Sequence, residues 1–177
     1  MGSIFMETIN QKILGYLIQC PGEQFVANEI QEKVKVSKGG LNQSLRKLAK
    51  EGFVNREKKG KIYLYSLNHN NVIVKQFKIL KNIELLFPLV GKLKKYAEKI
   101  ILFGSSARGE DTFESDIDLF ILTKIPIETD NMLKKCRYRR KLQAIIRTAV
   151  DYSNMEQKEP VFYEEIKRGI TLWENKE

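Results

Sequence analysis

The sequence predicts an α+β protein of two domains joined by a long helix, divided at residues 1–70, 71–95 and 96–177 of its 177 residues. Three observations predict it. The first third shows apolar residues at helical spacing in three short segments, followed by two alternating runs separated by Lys59-Gly60. Asn70 to Lys95 then keeps one helical period throughout. Beyond it, two short β-favouring runs bracket a glycine-rich turn, and the second carries carboxylates at every other position.

The first helix runs from Glu7 to Ile18 on Ile9, Ile13, Leu14 and Leu17, and stops at Cys20-Pro21-Gly22. Asn28 caps a short second helix whose inward residues are Ile30 and Val34. Ser37 caps the third, in which Leu41, Leu45 and Leu48 form one stripe while Lys38, Asn42, Gln43, Arg46, Lys47 and Lys50 occupy the other faces. The hairpin follows over Phe53–Lys58 and Lys61–Leu67, its tip carrying Lys58, Lys59 and Lys61.

Net charge separates the halves. Residues 1–95 carry 17 Lys and Arg against 7 Asp and Glu, a net +10, whereas residues 96–177 carry 14 against 15, a net −1. A basic half suits a polyanion; a near-neutral half with clustered carboxylates suits cations or a phosphate–metal complex. No apolar run reaches the roughly 20 residues that span a bilayer, so no membrane partner is expected. The start, Met1 to Met6, lacks the pattern of a secretory leader, and a cytoplasmic location is expected. Cys20 and Cys136 are too far apart for a metal or redox pair and read as buried thiols.

Three helices and a basic-tipped hairpin over about Glu7 to Leu67 resemble a winged helix-turn-helix domain. The resemblance implies binding of double-stranded DNA, with base contacts from Lys38, Asn42, Gln43 and Arg46, Lys47 beside them, and phosphate contacts from Lys58, Lys59 and Lys61. The same fold used only for protein contacts is the alternative. In the linking helix Ile79, Ile83, Leu86, Val90 and Leu93 form a heptad-like stripe, and Ile73, Phe77, Leu80 and Phe87 lie on a neighbouring face. Pro88 is expected to kink or divide this helix. Its apolar surface suits either a homodimer or docking between the two domains.

Lys99–Phe103 reads as a strand running into Gly104-Ser105-Ser106-Ala107-Arg108-Gly109, and Ser115–Thr123 as a second strand in which Asp116 and Asp118 point to one face. Like charges so placed call for a compensating hard divalent cation. Gly104-Ser105, ten residues, then Asp116-x-Asp118 resembles the signature of the polymerase-beta-like nucleotidyltransferases, specifically their minimal prokaryotic members, over about Leu89 to Glu174. That resemblance implies a small nucleotidyltransferase fold, a mixed sheet flanked by helices. It also implies two magnesium ions on Asp116 and Asp118, and NTP, with ATP favoured, as substrate. Gly104, Ser105, Ser106, Arg108 and Gly109 would hold the nucleotide phosphates.

A third carboxylate from a later strand belongs to the same pattern. Asp151 is the candidate as metal ligand and catalytic residue, after a helix from Asp130 to about Arg147. Lys134, Lys135, Arg137, Arg139, Arg140 and Lys141 on that helix would clasp RNA, nucleotide phosphates or an acidic partner, or form a solvated face. The terminal Pro160–Glu174 resembles the closing helix and edge segment of these domains, with Trp173 in the core. Minimal members pair with a HEPN partner protein as antitoxins, which makes such a partner a further expectation.

The expected protein is thus a DNA-binding transcription regulator that transfers a nucleoside monophosphate to a macromolecular acceptor, an antitoxin among the forms it could take. The alternative is a regulator whose second domain senses nucleotide or metal without catalysis. His69 receives no role.

Overall fold

The computed structural model describes residues 8–112, 114–138 and 140–175. The extreme N-terminus, Glu7 and Arg139 lie outside them. The chain divides into two compact units, residues 1–78 and 79–177.

In the first unit α1 (Ile9–Ile18) starts at Thr8, which shares a capping box with Gln11. Helix α2 (Ala27–Val34) begins one residue before Asn28, so that residue lies inside the helix instead of capping it. The Glu29 carboxylate accepts the Val26 N–H at 2.8 Å and supplies the terminus with its partner. Helix α3 (Lys38–Lys50) is capped by Ser37, whose hydroxyl accepts the Gly40 N–H at 3.2 Å. Ile13, Leu17, Ile30, Leu41, Leu45 and Leu48 meet in one core with Val54, Tyr65 and Leu67 of the hairpin.

The hairpin strands are β2 (Val54–Lys59) and β3 (Ile62–Leu67). Lys59 pairs with Ile62, so the turn residues are Gly60 and Lys61, one position later than the sequence suggests. Gly60 adopts φ +61°, which the first position of this tight turn requires. A two-residue strand β1 (Phe25–Val26), too short to leave a periodic signal, pairs with β3 and gives the sheet order β1-β3-β2.

Helix α4 (Val72–Leu93) runs through Pro88 without being divided. Proline removes one N–H, and burial of Leu86, Leu89, Val90 and Leu93 on both sides of it holds the helix together. Ile73, Leu80 and Phe87, seven residues apart, remain exposed.

The second unit is built on a mixed four-stranded sheet of order β6-β5-β4-β7. Its strands are β4 (Lys99–Phe103), β5 (Ile117–Leu122), β6 (Leu142–Arg147) and β7 (Ile170–Glu174). β4 pairs antiparallel with β5 and β7, and β5 pairs parallel with β6. A parallel pair needs a crossover, which α6 (Pro126–Lys134) provides. The helix expected from Asp130 to Arg147 therefore ends at Lys134, and its second half is a strand. Leu142-Gln143-Ala144-Ile145-Ile146 has no helix-breaking residue, and its pairing with β5 overrides a weak local preference.

Side chains alternate between the two sheet faces. Ile100, Leu102, Ile117, Leu119, Ile121 and Ala144 pack on the side that Leu86, Leu89 and Leu93 cover, with Trp173 partly buried there. Ile101, Phe103, Phe120 and Ile145 pack on the other side, under α7 (Ala149–Lys158) and α8 (Pro160–Lys167). Tyr152 joins this second layer at 5.2 Å from Phe120 and 5.3 Å from Tyr163, ring centre to ring centre. Among the described residues no helix is long and apolar enough to cross a membrane. Cys20 and Cys136 form no disulfide and are half-buried.

Candidate active site

The glycine-bracketed turn is a single helical turn, α5 (Gly104–Arg108), entered directly from β4 and ended by Gly109 at φ +67°. Gly104 sits at φ +66°, and a Cβ there would collide with Asp118 Oδ2. Both the backbone angle and the approach demand glycine. Asp118 pairs with Phe103 across the sheet, so its carboxylate lies beside the start of α5, and Asp116 stands just ahead of β5 with its charge acting on Asp118.

This end of the sheet is electrostatically tense. Burial first, and then the carboxylates of Asp116 and Glu165, push the Asp118 carboxyl above its ordinary value, against the opposing pull of Arg140 and Arg108. Lys141 donates to Asp116 Oδ2 at 3.0 Å and supplies the nearest positive charge. Such a cluster gains from any cation placed between the two oxygens.

The loop from α5 to β5 is held by Arg140. Its Nε donates to Ser115 O at 2.9 Å, Nη1 to Asp111 Oδ2 at 2.7 Å, and Nη2 to Ser106 Oγ at 2.9 Å and Asp116 O at 3.2 Å. Asn82 of α4 donates to Ser106 O at 3.1 Å and Asp111 Oδ1 at 3.2 Å. The Arg140 and Asp111 side chains are 12% and 7% exposed. Arg140 thereby holds the backbone carbonyl of Asp116, while the Asp116 carboxylate itself meets Lys141.

Several expected site residues have other occupations. Ser106 is fully buried and its hydroxyl serves Arg140, so it faces the interior and not a nucleotide. Arg108 is bridged to Glu110 at 3.1 Å and Glu165 at 3.4 Å. Gly109 is the buried end of α5, and Ser105 is half-buried at its start. The basic run is not one helical face: Lys134 ends α6, Lys135, Arg137 and Lys141 are exposed, and Arg140 is mostly buried.

Asp151 departs furthest. It lies in the first turn of α7, not on a strand, and forms a capping box with Thr148, whose hydroxyl donates to Asp151 Oδ2 at 2.7 Å. Those hydrogen bonds hold its carboxyl below the ordinary value. Asp118 is level with Gln143, whereas Leu122 is level with Arg147. Four residues of strand, about 13 Å at ~3.3 Å each, thus separate the Asp118 end from the end where α7 begins. Asp151 does not join Asp116 and Asp118. Among the described residues no group of three or more His, Cys, Asp or Glu is arranged to hold a metal.

Asn82, Asp111 and Glu165 carry no signal in the sequence, and Arg140 and Lys141 figure there only as members of a basic run. The five come from four separate segments and share no motif.

In the first unit Lys38, Gln43, Arg46 and Lys47 are exposed on α3 and Asn42 is half-exposed. Lys58, Lys59 and Lys61 are exposed at the hairpin tip, where the Arg56 guanidinium lies 3.6 Å over the Tyr63 ring.

Comparison with known proteins addresses the second unit. No curated protein was found to match the chain. One solved structure similar to it is a "putative nucleotidyltransferase" from Sulfolobus solfataricus, 19% identical, covering 60% of this chain and 89% of that one with a TM-score of 0.38. The family model "Polymerase beta, Nucleotidyltransferase" matches residues 89–177, which contain all four strands of the sheet, the Gly104 turn and both aspartates. The chain belongs to the polymerase beta nucleotidyltransferase family.

Proposed function

We propose that the protein is a DNA-binding regulator whose second unit transfers a nucleoside monophosphate from an NTP to a macromolecular acceptor. The observation that carries the transfer is the close approach of Asp118 to Gly104, whose missing side chain leaves room for its carboxylate, with the Asp116 charge near enough to act on Asp118. Asp116 and Asp118 would hold divalent metal with the NTP phosphates, and the metal would neutralise the triphosphate as charge moves onto the leaving group. Ser105 and the α5 backbone flank the same space. Arg140 holds the Asp116 backbone, and Lys141 adds a positive charge at the Asp116 carboxylate.

In the transfer an acceptor hydroxyl oxygen attacks the α-phosphorus. The bond from that phosphorus to the bridging oxygen breaks, pyrophosphate leaves with the electron pair, and the hydroxyl proton passes to solvent. Magnesium and ATP are the proposed metal and nucleotide, and a HEPN-type protein or RNA the proposed acceptor class.

For DNA, the support is the exposed basic side chains on α3 and at the hairpin tip, in a half with net charge +10. A helix for the groove and a loop for the backbone is the arrangement of winged helix-turn-helix domains. The exposed stripe Ile73, Leu80 and Phe87 supports a homodimer, which would read paired half-sites.

A second reading, nucleotide sensing without transfer, is favoured by the position of Asp151 outside the carboxylate pair. Incubation with α-labelled NTPs, magnesium and host lysate separates the two. Label passing to protein or RNA with wild type, but not with Asp116→Ala/Asp118→Ala, supports transfer. Nucleotide retained without label transfer supports the sensor.

A further inference from the structure

We infer that this site takes one divalent cation with its nucleotide, not the pair that its family implies, and that Gln143 is the residue that sets this number. The inference rests on the reading that the Asp116–Asp118 site binds an NTP, and it concerns the strand beside them. β5 and β6 run parallel with Asp118 level with Gln143. Phe120 and Ile145, the next level pair on that face, pack in one cluster, whereas Leu119 and Ala144 pack on the opposite face. Gln143 therefore shares the sheet face of Asp118, at the same end of the sheet, and its side chain is exposed there.

At this place a second hard cation would need an anionic oxygen, because two dications a few ångströms apart repel and must be bridged by carboxylates. Gln143 offers a neutral amide. The nearby carboxylates are engaged elsewhere. Asp111 is in a buried pair with Arg140, Glu165 and Glu110 bridge Arg108, and Asp151 caps α7 at the far end of the strand pair. On the strand pair itself the carboxylates are Asp118 and, just ahead of it, Asp116, which Lys141 pairs with at 3.0 Å; the two are enough to hold one divalent ion against a triphosphate. The acceptor hydroxyl accordingly loses its proton without a metal ion of its own.

Counting ions tests this without reference to turnover. Full-length protein is dialysed to equilibrium against Mn²⁺ and α,β-methylene-ATP, the metal and nucleotide retained per chain are measured, and the electron paramagnetic resonance spectrum is recorded. One Mn²⁺ per bound nucleotide in wild type, with an uncoupled spectrum, is expected. Gln143→Asp, or Gln143→Glu if the first variant folds poorly by circular dichroism, is expected to retain two, with the exchange-coupled spectrum of a close pair. Two ions in wild type would overturn the single-ion inference and leave the nucleotide site standing. One ion in wild type and still one in both folded variants would overturn the assignment to Gln143. No retained nucleotide would overturn the nucleotide-site reading itself, and the inference with it.

Discussion

Arg140 is the side chain on which the second unit's polar interior depends. Removing one partner of a buried ion pair leaves the other charge stranded, so Arg140→Met should cost about 3–5 kcal/mol in denaturant unfolding. Arg140→Met with Asp111→Leu should recover most of that loss, since an apolar pair strands no charge. Asp118 behaves oppositely. Its carboxylate is held partly buried against Asp116 and Glu165, so Asp118→Asn should raise the melting temperature by about 2–4 °C while abolishing metal-dependent nucleotide binding. A variant that loses both stability and binding would count against this separation. Neither effect was legible in the sequence beyond the two aspartates themselves. The Gly-Ser and Asp-x-Asp spacing marks the site because its members are local, whereas the Arg140 contacts span 24 to 58 residues of chain and leave no pattern.

Elements were legible where periodicity and caps agreed. Ser37 and the Leu41–Leu45–Leu48 stripe define α3, and alternation defines the hairpin and β4. They were illegible where strand pairing decides, as in β6, whose residues favour either state until β5 lies beside them. Asp151 follows β6 in the first turn of a helix, whose start Thr148 three residues earlier signals. Thr148→Ala should therefore cost about 1 kcal/mol. Asp151→Asn should leave nucleotide binding unchanged, which binding of a fluorescent ATP analogue would measure. The Asp151 carboxyl is held below its ordinary value in the fold, so its contribution is present above the unfolded value and disappears as pH falls through the lowered one. The Asn variant should lack that acid-side decline. In α4 the exposed stripe makes its own prediction: Leu80→Lys with Phe87→Lys should convert a dimer to a monomer in sedimentation, and an unchanged mass would exclude this face.

On the scale of the whole molecule, charge is partitioned as the chemistry would be. The proposed polyanion contacts lie in the unit of residues 1–78 and the carboxylates in that of residues 79–177. Replacing Lys58, Lys59 and Lys61 by Ala should lower the slope of log K against log salt by about 0.9 for each phosphate that is no longer neutralised. Asp118→Asn should leave that slope unaltered. Fluorescence anisotropy of a labelled duplex over a salt series measures both.

The Arg140 clamp also bears on how the chain reaches its native state. Its partners at Asn82, Ser106, Asp111 and Ser115 precede it in sequence, and it stands at the entrance to β6. Contacts of such separation carry the loop-closure entropy that slows folding. During synthesis the contacts that hold the Asp116 backbone therefore cannot be made until residue 140 of the 177 has been added.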